Sequence, residues 1–196
     1  SPVTVIGGGS VLRAKPRRTT NISETTSQLL EALRCNDDKT AVEVAFALEE
    51  LPVTAEQLAA ATGIDQKICA QHLESMCAHG AAEKLSSMSA NTAMFTSRSL
   101  LQKNVSALER ALISFHSDNP TASGLSKNAL RQRVLPKATS PQFEALLTYA
   151  ANKNMLIVAD GEVSHPKAGA GAQQALKAAA EQLFEAISAG GATPPD

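Results

Sequence analysis

From Ser23 onward the apolar positions fall at helical spacing. Leu29, Leu30 and Leu33 share one face, after which Asn36-Asp37-Asp38 breaks the pattern and supplies an N-cap for a second helix carrying Val42, Ala45, Phe46 and Leu48. Pro52 ends that helix. Thr54-Ala55-Glu56-Gln57 then fits a capping box, in which the Thr hydroxyl and the Gln side chain satisfy two orphan backbone N–H groups at a helix start. The short helix so begun runs through Leu58 and Ala59 to Gly63, and another opens at Asp65. Along it Cys69, Leu73, Met76 and Cys77 form a single apolar stripe, Gly80 ends it, and residues 82–86 and 92–96 can pair as a hairpin. The segment from Thr54 to Ile64 carries the Thr-x-x-Gln-Leu-Ala signal of a helix-turn-helix, with one added residue before the Gly.

The same order then recurs. A helix from about Ser99 to His116 carries Leu101, Val105, Leu108, Leu112 and Phe115, spaced alternately by four and three. A short helix starts near Ser126, and a third at Ser140-Pro141, with Ser as N-cap and Pro at the first helical position. The third carries Phe143, Leu146, Leu147 and Ala150. Met155 to Val158 and Glu162 to Ser164 flank an Asp160-Gly161 turn and read as a hairpin. The second-helix starts, Thr54 and Ser126, lie 72 residues apart and the third-helix starts, Asp65 and Ser140, lie 75 apart, which indicates a duplicated module. The fold class expected is mainly α with small β-hairpins, an α+β chain of tandem winged-helix domains at 23–98 and 99–168. Residues 3–6 and 10–12 flank Gly7-Gly8-Gly9 as a short strand pair, followed by a basic linker to residue 22. Residues 169–196 hold an Ala-rich helix from about Gln173 to Ser188, read as the first helix of a truncated third winged helix with part of its apolar face uncovered.

Composition adds a division of charge. The 196 residues hold 18 Lys+Arg against 19 Asp+Glu, 43% apolar residues, five Phe, one Tyr and no Trp. Residues 1–20 carry +4, residues 21–100 carry −6, residues 101–170 carry +3 and the remainder −2, so successive modules present opposite signs to their neighbours. Uncharged apolar stretches fall well short of the roughly 20 residues of a membrane helix, and no basic-led apolar segment opens the chain, so neither a membrane span nor a secretory signal is expected. Three cysteines, an odd number, favour a reducing compartment, and the cytoplasm is the expected location. The chain begins at Ser1 and enters a strand-like segment at once, which suggests a fragment.

Most chemistry is refused on spacing. Gly7-Gly8-Gly9 is followed by no Lys-Ser/Thr and leads into linker, which makes it a tight turn rather than a phosphate loop. Cys69, His72, Cys77 and His79 are the metal-like cluster, but residues eight apart on a helix lie about 12 Å apart along its axis, too far to share a zinc ion or a disulfide. Cys69 and Cys77 are then small hydrophobes of the stripe. The histidines, His72, His79, His116 and His165, stand apart from any nucleophile motif, and His116, near a helix end, is placed to be favoured by the helix dipole. No catalytic residue, cofactor, metal or small-molecule substrate is expected in this segment.

Nucleic acid is harder to dismiss. The third helix of the first module offers Gln66, Lys67 and Gln71 beside Asp65 and Glu74, and that of the second offers Gln142 beside Glu144; acids there would repel phosphate and disfavour groove reading. The second module instead carries Lys127, Arg131, Arg133 and Lys137 on and just after its short helix. Lys127 and Arg131 are i, i+4 neighbours, so part of this set makes one basic face able to hold a phosphate backbone, the bland alternative being a solvated face. Arg13, Lys15, Arg17 and Arg18 of the linker are weaker candidates. With so few aromatics a base-stacking platform is not expected.

Certain residues resemble a known family. Ser1-Pro-Val-Thr-Val-Ile-Gly-Gly-Gly-Ser-Val-Leu12 is similar to the closing strand of the third, barrel domain of the selenocysteine-specific elongation factor (SelB). The segment Phe115-His-Ser-Asp-Asn-Pro120, with Gly124-Leu-Ser-Lys127, Leu130-Arg-Gln-Arg133 and Leu135-Pro136, resembles the second winged helix of that factor's C-terminal extension, and His165-Pro166 fits its exit. The resemblance implies a translation elongation factor of selenocysteine incorporation that binds GTP, with magnesium, and selenocysteinyl-tRNA through an N-terminal body absent here, and an mRNA hairpin through its last winged helices. Residues 1–22 would then be the end of the barrel domain and a linker, and the two modules a cytoplasmic, monomeric arm in protein biosynthesis whose partners are RNA and the ribosome. The runner-up from the residues is a tandem winged-helix DNA-binding transcription regulator or chromosome-associated adaptor, which predicts dimers and salt-dependent binding of duplex DNA.

Overall fold

The structure, a computed structural model, describes residues 11–12, 23–86, 92–120, 122–166, 181, 184–185 and 187. The Gly7-Gly8-Gly9 strand pair, the linker cations Arg13, Lys15, Arg17 and Arg18, and most of the C-terminal helix lie outside the described residues; in that last stretch Phe184 and Ile187 are exposed. The chain divides into two compact units, residues 1–102 with 140–145, and residues 103–139 with 146–196.

The first unit is built from capped helices. Helix α1 (Glu24–Arg34) starts where the Ser23 hydroxyl accepts from the Thr26 N–H, and α2 (Asp38–Ala47) where the Asp37 carboxylate accepts from the Thr40 N–H. Hydrogen bonding from Thr40, its side chain first and its N–H second, holds the Asp37 carboxyl below the usual carboxylate range. Helix α3 (Ala55–Thr62) carries the complete capping box: Thr54 Oγ1 accepts from the Gln57 N–H at 3.2 Å and Gln57 Oε1 from the Thr54 N–H at 3.0 Å. It ends at Gly63, whose φ of 80° is left-handed and easy for a residue without Cβ. Helix α4 (Gln66–Ala78) is capped by Asp65. Strands β1 (Ala82–Leu85) and β2 (Met94–Ser97) form an antiparallel wing, registered Ala82 with Ser97 and Leu85 with Met94. The second wing strand begins two residues later than periodicity suggests, and its buried Phe95 exchanges both backbone hydrogen bonds with Val53. Leu29, Val42, Phe46, Val53, Leu58, Cys69, Leu73 and Phe95 belong to one buried core.

The second half of the chain repeats that order. It comprises α5 (Arg98–Asp118), β3 (Leu125–Ser126), α6 (Lys127–Val134), α7 (Ser140–Asn152), β4 (Ile157–Ala159) and β5 (Glu162–Ser164). The sheet is antiparallel throughout, in the order β3-β5-β4, with Val163 between Leu125 and Val158. Asp160 and Gly161 both have positive φ, 49° and 81°, the requirement of a two-residue type I′ turn whose twist matches the strands it joins. Val105, Leu108, Leu112, Leu130, Leu146, Leu156 and Val163 are buried within the second unit. Three helices and a small antiparallel wing, met twice, are the mainly helical α+β winged-helix architecture expected from the pattern.

Candidate nucleic-acid interface

Helix α6 begins where the Ser126 hydroxyl accepts from the Ala129 N–H, while the Lys127 N–H donates to the Gly161 carbonyl in the turn of the wing. Leu130, wholly buried, fixes the rotation of this two-turn helix. That rotation leaves Lys127 and Arg131, one turn apart, half-buried on one side and Arg133 exposed. Arg131 and Arg133 also lie in the last turn, where the negative end of the helix dipole favours cations.

The chain leaves α6 through Leu135-Pro136-Lys137-Ala138. The Ala138 N–H donates to the Leu135 carbonyl at 2.9 Å, closing a β-turn with Pro136 and Lys137 at its corners. Lys137 is thereby exposed at the tip, while Ala138 is buried at 2% exposure. Arg131 Nη1 donates to the Ala138 carbonyl at 2.9 Å, and Arg131 Nε is enclosed with no hydrogen-bond partner. The structure thus brings Lys127 and Arg131 onto one side of α6 and sets Lys137 on a turn tied back to that helix. The acid of the neighbouring strand is engaged elsewhere, since the Ser123 hydroxyl donates to Glu162 at 2.6 Å.

The third helices present less. On α4, Gln66, Lys67 and Gln71 are exposed, but so are Asp65 and Glu74, and Glu74 is paired with Lys84 of the wing. Gln142, offered by the sequence as a base-reading group on α7, is 93% covered, and its Nε2 donates to the Pro52 carbonyl at 2.7 Å within the first unit. An amide so held has no route to a base edge.

The cysteines and His116 differ in burial. Among the described residues no three His, Cys, Asp or Glu side chains gather as metal ligands. Cys69 is buried and Cys77 half-buried, and desolvation raises both thiols above their ordinary range. His116 behaves opposite to the dipole expectation. Burial pushes its pKa down, with a smaller contribution from the charge of His165, and its Nε2 is enclosed without a partner. Desolvation of the ring outweighs the helix terminus.

Two devices escaped the pattern. Strand β3 gives the second wing a third strand and Val53 forms an isolated bridge to Phe95 of the first, and the Arg131 bond to Ala138 ties the turn to α6. Gly124, ahead of β3, was the available signal for the first, since a glycine beside a strand marks a close backbone approach.

Residues 110–164 match the family model described as elongation factor SelB, winged helix. This stretch is thus similar to a SelB winged helix; the match takes in α6, α7 and the β4–β5 wing, and does not reach residues 1–12. No curated protein matches the chain. No helix among the described residues is long and apolar enough to cross a membrane.

Proposed function

We propose that this chain is a winged-helix arm of a selenocysteine-specific translation elongation factor. In this reading it joins a body that binds GTP and selenocysteinyl-tRNA to a tip that binds an mRNA hairpin. The basic set Lys127, Arg131, Arg133 and Lys137, on and just after α6, lies near RNA of the tRNA or the ribosome. The observation that carries the reading is the similarity of residues 110–164 to a SelB winged helix. The third helices support a role in reach rather than base reading: one carries Glu74 and is capped by Asp65, and on the other Gln142 is bound to Pro52. Nucleotide chemistry, with magnesium, belongs in this reading to the body, and the arm is a cytoplasmic monomer with no reaction of its own.

Phosphate contact of this kind is electrostatic and indifferent to sequence, so it should fall steeply with salt. Titration of the 196-residue chain with a mixed-sequence duplex RNA, a matched duplex DNA and an mRNA hairpin bearing a UGA codon tests the assignment. Weak, salt-dependent RNA binding without preference for the hairpin is the expected result. Tight, selective hairpin binding would remove the arm reading, and dimers bound to duplex DNA would identify a transcription regulator instead.

A further inference from the structure

Of the four cations on the proposed interface, Arg131 is held differently from the rest. A guanidinium grips a phosphate bidentately in one of two ways: side-on, through Nε and one Nη, or end-on, through Nη1 and Nη2. The first needs Nε, which is enclosed, and the second needs Nη1, which is bonded to the Ala138 carbonyl at 2.9 Å. The side-on grip is closed, and the end-on grip has to share Nη1 with that carbonyl. The same bond spans the end of α6: the Leu135 N–H closes on the Arg131 carbonyl at 2.8 Å, the Ala138 N–H on the Leu135 carbonyl at 2.9 Å, and the Arg131 side chain returns to Ala138. Arg131 therefore contributes a backbone bond and a side-chain bond to one short loop, at whose tip Pro136 and Lys137 are exposed.

We infer that Arg131 is a positioning residue, a brace that fixes the Leu135–Ala138 turn and presents Lys137, and that Lys127, Arg133 and Lys137 are the phosphate ligands. The presentation of Lys137 to RNA rests on the function proposed above; the brace itself does not. It follows that charge at position 131 matters less than the N–H that reaches the carbonyl, and that loss of Arg131 and loss of Lys137 are one loss seen twice.

The test is a double-mutant cycle in the 196-residue chain with R131Q, K137A and the double variant, read by the salt dependence of binding to a mixed-sequence duplex RNA. Each single variant should lower the slope of log affinity against log salt by about one, the contribution of one phosphate contact, and the double variant should match either single. Backbone amide exchange supplies a readout that needs no RNA: the Ala138 amide should exchange faster in R131Q and not in K137A, while the Val163 amide keeps its protection. Additive slopes in the double variant, or an Ala138 amide as protected in R131Q as in the wild type, would overturn the brace. If the wild-type chain binds no RNA, the functional reading fails by itself, and the Ala138 exchange still decides the brace. If R131Q does not fold, R131K decides, because it can still offer one N–H to the carbonyl. Restored Ala138 protection together with binding supports the brace; full binding with an unprotected Ala138 amide refutes it.

Discussion

A Cβ placed on Gly124 would stand 2.9 Å from the carbonyl oxygen of Val163. The obstacle is backbone, and Val163 is the central residue of the three-stranded wing sheet, bonded on both sides. G124A should therefore destabilise the protein by about 1–3 kcal/mol, the range for overpacking a fitted interior. Thermal or denaturant unfolding measures it. An unchanged midpoint would mean that β3 is free to drift away from β5.

The capping box makes a second, smaller prediction. Thr54→Ala removes the acceptor for the Gln57 N–H while leaving an exposed helix start otherwise intact. The expected loss is about 1 kcal/mol, and T54S should recover most of it. Denaturant midpoints of the three proteins settle the order.

His116 gives the protein a pH dependence near neutrality. Its folded-state pKa lies below the unfolded value, so below neutrality the unfolded chain takes up a proton that the folded chain resists. Stability is then fully kept above the ordinary histidine range, falls as pH drops through that range, and levels off below the depressed folded value. Asp37 works in the same direction but in the lower, carboxylate window, which keeps the two apart. Unfolding midpoints measured between pH 7.5 and 5, about the histidine window, should decline in the wild type and decline less in H116Q. Equal slopes would place the response on another group.

Thiol reactivity should follow burial. Cys35 is exposed, Cys77 half-buried and Cys69 buried, the last two with thiols raised by desolvation. An aromatic disulfide reagent should therefore modify Cys35 rapidly in the native protein, Cys77 slowly and Cys69 only on unfolding. Mass spectrometry of the labelled peptides gives the order, and early labelling of Cys69 would contradict the packing of α4.

At the interface, K127A and R133A should each reduce the salt slope of RNA binding by about one without altering preference among sequences. A change of preference would mean that base edges are being read.

Much of this fold was legible because its punctuation is local. Ser23, Asp37, Thr54, Asp65 and Ser126 each cap the helix that follows, and Asp160-Gly161 names its own turn. The extra pairings of the two wings were not legible. Leu125–Ser126 is two residues long and Val53 pairs alone with Phe95, too short for any alternation to register. The basic set on α6 could be read from spacing, but the role of Arg131 could not, because its partner is a main-chain carbonyl seven residues away that every sequence possesses. Gln142 illustrates the same limit at longer range: its partner Pro52 lies 90 residues back.

That last bond closes a door on the chain's descendants. For α7 to acquire discrimination among base pairs, the glutamine would have to let go of Pro52, and an oxygen in a dry place would be left without its donor. Each first step toward a base-reading helix is thus met by an immediate loss of stability.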